Sequence, residues 1–238
     1  MPKTIAIQCG HGVSLDGSWD AGCVYGKYSE AALMLKITKA AVKYLRANGF
    51  NVISDADHGN NKNMIADVRW ANEAGAVIYI SIHCDYSKAP SGVMPLYVSS
   101  SGKKLAKCLN KAVKADLKMR SRGVQKRTDL WELNGTDMTA CILETGAIKA
   151  DLKTLRDKAD AYGKAIAKGV CAYFGVKFKD PSKPKNPKPI KKKPIYRVRK
   201  SWKDADSQKG AFSDLDNAKA CAKKYRMHVY DSKGKKVY

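Results

Sequence analysis

Apolar positions in the first three quarters of the chain follow two alternating periods. TIAIQ (4–8) is a β-branched run. After a long Gly-containing loop, Leu33, Ile37, Ala41, Tyr44 and Leu45 recur at helical spacing until Asn48-Gly49 stops the helix. FNVIS (50–54) predicts a strand and residues 62–74 a helix. AVIYISIH (76–83) is a continuous apolar run of the kind buried on both faces of a sheet. VMPLYV (93–98) predicts a short strand whose Pro95 argues for an edge position. Leu105, Cys108, Leu109, Ala112, Val113 and Leu117 share one helix face, and TACILE (139–144) predicts another strand. Leu152, Leu155, Ala159, Tyr162, Ile166 and Val170 predict one long final helix. This order implies an α/β fold, a single twisted central sheet with helices on both faces.

The pattern breaks at residues 179–193, KDPSKPKNPKPIKKK, where seven Lys, one Asp and four Pro leave almost nothing to bury. Three parts are therefore expected: a large domain over 1–178, a Lys/Pro-rich linker over 179–193 and a small α+β domain over 194–238. The last reads as strand, helix, strand and hairpin strand.

Composition narrows the class. With 238 residues, 44% of them hydrophobic, the chain can bury a full core without disulfide staples. Seven cysteines, an odd and scattered set with no C-x-x-C pair, read as reduced thiols rather than as a disulfide framework or a Cys-only zinc site. The N-terminal residues lack a signal-peptide pattern and no window reaches ~20 apolar residues, so synthesis in the cytoplasm without membrane insertion is expected. A net charge of +23 predicts attraction to a polyanion: nucleic acid, an anionic membrane surface or an anionic wall polymer. No helix-turn-helix, RNP-like or zinc-finger signature accompanies the charge, so a basic nucleic-acid-binding protein is the rival reading and not the preferred one. Oligomeric state is not legible.

The candidate chemistry lies at strand ends. His11 follows the first strand, His83 ends AVIYISIH and Glu144 ends TACILE; in open α/β sheets that edge is where ligands bind. Glu30 occupies the first turn of the helix that Ser29 caps, after a loop able to swing back over the same edge. Taken singly, Glu30 is explained by the helix dipole and each His by ordinary hydrogen bonding. A carboxylate ending a buried strand needs a partner or a task. Two imidazoles, one carboxylate and a further Glu on one edge match the three-ligand, open-position zinc site used for hydrolysis. His58 and His228 lack such placement and read as structural.

At these residues the sequence resembles the zinc-dependent N-acetylmuramoyl-L-alanine amidases of amidase family 3, found in autolysins and phage endolysins. The pieces that carry the resemblance are GHG with His11, the DAG then GKYSE stretch ending in Glu30, RWANEAGAVIYISIH ending in His83, RGV (122–124), and CILETG with Glu144. The resemblance implies one Zn²⁺ held by His11, Glu30 and His83 with a position open to water, and Glu144 as catalytic base. It also implies peptidoglycan as partner, cut between N-acetylmuramic acid and L-alanine. An endolysin acting at the wall after release, or a bacterial autolysin of the same chemistry, would fit. Arg69 and Asn72 match helix positions to which a structural hydrogen-bonding role is given. Cys84-Asp85 and Asp137-Met138 depart from the family's usual residues, and whether Cys9, Cys84 or Cys141 approach the metal is not legible in the sequence. Within residues 194–238, SQKGAFSDLDNAKA (207–220) is similar to the middle of SPOR-type wall-binding modules, and Tyr196, Trp202 and Phe212 offer either a candidate binding face or the only core of so small a fold.

Overall fold

The computed structural model describes residues 2–58, 63–182 and 194–238, and the chain divides into two units, Met1–Lys183 and Pro184–Tyr238. The expected linker falls mostly on 183–193, outside the described residues. Its first residues belong to the first unit instead: Lys179 exchanges hydrogen bonds with the Asn48 side chain, and Asp180 pairs with Lys164.

Strands β1 (Thr4–Cys9), β6 (Asn51–Ile53), β7 (Ile78–Asp85), β8 (Met94–Tyr97), β9 (Gln125–Lys126) and β10 (Thr139–Ala147) form one sheet in the order β6-β1-β7-β10-β8-β9. All neighbouring pairs are parallel except β10 with β8. Two short hairpins, β2 (Gly12–Val13) with β3 (Trp19–Asp20) and β4 (Val24–Tyr25) with β5 (Tyr28–Ser29), occupy the loop after β1.

Side-chain alternation assigns the sheet its two faces. Ile5, Ile7, Ile78, Ile80, Ile82, Cys141 and Leu143 pack against α1 (Glu30–Ala47), α3 (Ser100–Leu117) and α6 (Ala159–Tyr173). Ala6, Tyr79, Ala140 and Ile142 point the other way, against α2 (Met64–Glu73) and α4 (Trp131–Asn134). Each fully buried Ile or Leu contributes about 1.5–3 kcal/mol of transfer free energy, which fixes the register, since a slip of one residue would exchange the faces. The expected sheet with helices on both faces is what the chain forms.

Local capping explains where the helices begin. Ser29 Oγ accepts from Ala32 N at the start of α1, and Asn63 Oδ1 from Ile65 N and Ala66 N at the start of α2; such caps are worth ~1 kcal/mol each. The expected single final helix is in fact two, α5 (Leu152–Asp157) and α6, separated at Lys158 with φ −121° and ψ 31°. The four-residue spacing from Leu155 to Ala159 carries across the break unchanged, so periodicity could not reveal it.

Pro95 is also not at the outermost edge, because β9 lies beyond β8. Val93 and Tyr97, on the outward side of β8, bond to the backbone of Arg120, Arg122 and Arg127. Pro95 falls in the gap between these contacts, where no N–H is required.

In the second unit β11 (Tyr196–Arg199), β12 (Gly210–Phe212) and β13 (His228–Tyr230) form an antiparallel sheet in the order β12-β11-β13, crossed by α7 (Leu215–Tyr225). The order is strand, strand, helix, strand, because GAF pairs with YRV rather than leading into the helix. No helix among the described residues is long and apolar enough to cross a membrane.

Candidate metal centre

Strands β1 and β7 run side by side and parallel, so the residues at their C-terminal ends emerge together. His11, just past β1, and His83, on β7, have ring centroids 5.1 Å apart in an edge-to-face arrangement. On the other side of β7, β10 sets Glu144 in register with His83. Glu30 arrives from α1. The two hairpins fold residues 12–29 back over the strand ends, where Glu30 N donates to Cys23 O and Ala31 N to Ala21 O.

The Glu30 side chain, 1% exposed, lies between the imidazoles. Its Oε1 is 3.0 Å from His83 Nδ1 and its Oε2 is 3.3 Å from His11 Nε2. The backbone N–H groups of Cys84 and Cys23 donate to the same two oxygens at 2.9 and 3.0 Å. One donor atom from each of His11, Glu30 and His83 thus lies within 4.8 Å of the others. Burial alone would raise the Glu30 carboxyl, but hydrogen bonds from both imidazoles hold it well below the usual carboxylate range. Burial works against protonating the rings, yet Glu30 on His11, and Glu132 with Glu30 on His83, raise both imidazoles. A concentrated negative charge with two nitrogen bases against it is the environment a divalent cation can occupy in place of protons.

The backbone makes room for this cluster. A Cβ at Gly10 would run into the His83 ring, and one at Gly22, where φ is +65°, would come within 2.6 Å of the His11 ring and 2.8 Å of Glu30 Oε2. His11 itself has φ 64°, a left-handed conformation that costs an L-residue about 1–2 kcal/mol. Asp20 Oδ2, 2.7 Å from His11 Nδ1, holds the ring from the far side.

Glu144 stands beside the group. Its Oε2 is sealed from solvent without a hydrogen-bond partner. Burial pushes its carboxyl up to about 7; His83 and Arg122 pull it down, while Glu30 and Asp85 push it further up. A cavity of about 540 Å³ opens against the centre, with the 10–16 loop on one side, Asn63 and Met64 on another, and His83 and Glu132 in its lining. That is the size of a small-ligand site.

The four residues singled out from sequence therefore meet at one sheet edge. Asn72 bridges the loop after α4, donating to Gly135 O and accepting from Asp137 N, while Arg69 is exposed and makes no hydrogen bond among the described residues. Asp85 pairs with Arg122 of the RGV motif at 2.8 Å, so this departure from the usual family residue has an internal partner. All seven cysteines are free thiols, and none enters the donor group among the described residues. Burial first, then the nearby carboxylates, raise the thiols of Cys9 and Cys84; burial alone raises that of Cys141. His228 lies in the second unit's sheet, and His58 closes a 3-10 turn, Asp55–His58.

Sequence reasoning missed Asp20 and Glu132. Asp20 carried a signal, as the first letter of the DAG stretch. Glu132, in the mixed stretch TDLWELNG, carried none, and only folding brings its carboxylate within 3.4 Å of His83 Nε2.

Comparison with known proteins bears on the family and the fold. The family described as N-acetylmuramoyl-L-alanine amidase matches residues 5–172. An uncharacterized 38.4 kDa protein of Clostridium perfringens is 33% identical over 178 residues, which cover 70% of this chain and 50% of that one. The chain spans about half the length of the curated relatives it matches. Among solved structures, an N-acetylmuramoyl-L-alanine amidase from Clostridium difficile 630 superposes with a TM-score of 0.66 at 23% identity, covering 74% of this chain and 98% of that one. AmiC2 of Nostoc punctiforme gives 0.65 at 23% identity over 73% and 97%. At these identities the two structures bear on the fold.

Proposed function

Because this chain belongs to the N-acetylmuramoyl-L-alanine amidase family, we propose that it hydrolyses the amide between the lactyl group of N-acetylmuramic acid and the L-alanine that begins the peptidoglycan stem peptide. The observation that supports this most is the convergence of His11, Glu30 and His83 within 4.8 Å beside Glu144. Two nitrogens and one carboxylate oxygen are the donor set of hydrolytic zinc sites, and the residues present fit one such ion.

Zinc held by those three side chains would supply Lewis acidity, lowering a water's pKa toward ~7 and polarising the scissile carbonyl. The protein's part is separable from that. Glu144 takes the attacking water's proton and returns it to the departing amine of L-alanine. Asp20 holds His11 by its second ring nitrogen, and Glu30 keeps the two rings facing one centre. The adjoining cavity, with exposed Leu15 and Met64 at its wall, offers the stem peptide or lactyl group an apolar surface away from bulk water.

The test is chemical. Incubated with purified sacculi, the protein should release new L-alanine amino termini and no reducing sugar ends, and a chelator should abolish the release until zinc is restored. Full activity after exhaustive removal of metal would end the proposal.

For the second unit we propose wall targeting through anionic polymers, which the 12 Lys and Arg against 5 Asp and Glu of residues 194–238 favour. Tyr196 and Phe212 pack against the core of Val198, Ala218, Ala222 and Val229, so Trp202, half-buried with the Arg199 guanidinium 5.2 Å from its ring, is the aromatic left for a ligand. Full-length Trp202→Ala should be retained less on cell walls in a low-salt pull-down with turnover on soluble muramyl peptides unchanged; undiminished retention removes the role. The setting we infer is an endolysin made in the host cytoplasm that reaches the wall after release. Expression with and without a holin-type pore separates this from an autolysin, which would lyse cells without one.

A further inference from the structure

His83 has two ring nitrogens, and a carboxylate faces each of them. Nδ1 faces Glu30 Oε1 at 3.0 Å, on the side where His11 also points. Nε2 is buried and makes no hydrogen bond, and its nearest ion-pairing group is Glu132 Oε2 at 3.4 Å. Glu132 is itself buried, on the short helix α4, and its other oxygen accepts from Tyr79 OH at 3.0 Å. The helix is fastened from below: Leu133 packs into the core with Tyr79 and Ala71, and Asn72 clamps Gly135 and Asp137 behind it. A carboxylate is costly to bury, and this one has a Tyr79 hydroxyl on one oxygen, the His83 ring 3.4 Å from the other and the Ser81 side chain close by.

The arrangement repeats across the site. His11 Nε2 faces Glu30 and its Nδ1 meets Asp20, while His83 Nδ1 faces Glu30 and its Nε2 meets Glu132. Each imidazole is therefore gripped between the shared Glu30 and a carboxylate of its own. Asp20 is half exposed in a surface hairpin, whereas Glu132 is enclosed, so the inner grip is the less replaceable by water.

We propose that Glu132 is a positioning residue for the metal centre. It accepts the Nε2 proton of His83, which fixes the tautomer with a lone pair on Nδ1 and turns that nitrogen toward Glu30 and His11. The inference rests on the zinc-site reading above. Its consequence is for metal affinity and not for the proton transfer assigned to Glu144. Partners of this kind, on the far side of a ligating imidazole, change metal affinity by about 10- to 100-fold when removed.

The experiment uses full-length protein stripped of metal, with zinc affinity read by competition against a chromophoric chelator. Glu132→Ala should weaken zinc binding about 10- to 100-fold. Glu132→Gln, which fits the same space and keeps a neutral acceptor, should fall between it and the wild type. Tyr79→Phe removes the Tyr hydroxyl on Glu132 and keeps the carboxylate, so its affinity should stay within about threefold of wild type, well short of the 10-fold loss set for the missing carboxylate. In the zinc-loaded protein, a low-field imidazole N–H resonance from His83 should be present in wild type and Tyr79→Phe and absent in Glu132→Ala. Should Glu132→Ala fail to fold, the Gln variant carries the same comparison. Unchanged affinity in a folded Glu132 variant, or an equal loss in Tyr79→Phe, overturns the proposal. A wild-type protein with no zinc affinity would instead sink the functional reading on which it rests.

Discussion

Glu144→Gln should purify with its full complement of zinc and yet turn over sacculi about 10²- to 10⁴-fold more slowly, the range expected when a positioned general base is lost. The expectation comes from where Glu144 sits. Its strand is paired with β7 so that it stands level with His83, while Glu30 and His11 reach the centre from other elements. Removing its charge therefore leaves all three proposed ligands intact. One of its oxygens is enclosed and unpartnered, so no structural hydrogen bond is lost when an amide replaces it. Elemental analysis and amine release from sacculi, measured on the same preparation, separate the roles. Turnover within tenfold of wild type would remove Glu144 from the chemistry, and loss of zinc would make it a ligand.

The sheet was legible because strands buried on both faces are apolar at nearly every position, as TIAIQ, AVIYISIH and TACILE are. Parallel pairing then forces their C-terminal ends to one edge, which is why His11, His83 and Glu144 could be grouped before any coordinates. The helix break at Lys158 was not legible, since the apolar spacing is the same through it. Nor were the hairpins at 12–29: two-residue strands have no periodicity to read, although the loop they form was expected over the site. Glu132 was hidden for a different reason. Its role comes from contacts with Tyr79 and His83 some fifty residues away, and α4 is a single turn, too short for its apolar spacing to be read. In the small unit, the sequence left three aromatics open to a binding face or a core, and packing sets two of them against a core of four fully buried side chains.

Glu30 is the residue on which both stability and metal binding converge, and its replacement should show both. In the metal-free protein its carboxylate, 1% exposed, serves two imidazoles and two backbone N–H groups. Glu30→Ala leaves these donors facing a cavity, so the first unit should lose about 3–5 kcal/mol, the usual result of removing one member of a buried charged set. Glu30→Gln fills the volume and keeps one acceptor, and should fold with a smaller loss. Zinc separates this structural part from the ligand part. A ligand that binds only the native state at ~100 times its Kd adds about 2.7 kcal/mol, which for a unit of this size is roughly 5–10 °C in Tm. Wild-type protein should show that rise on adding zinc, and Glu30→Gln should show almost none even where its metal-free Tm is near that of wild type. An equal zinc-induced shift in Glu30→Gln would mean that the metal is held without this carboxylate, and the His11–Glu30–His83 centre would have to be abandoned.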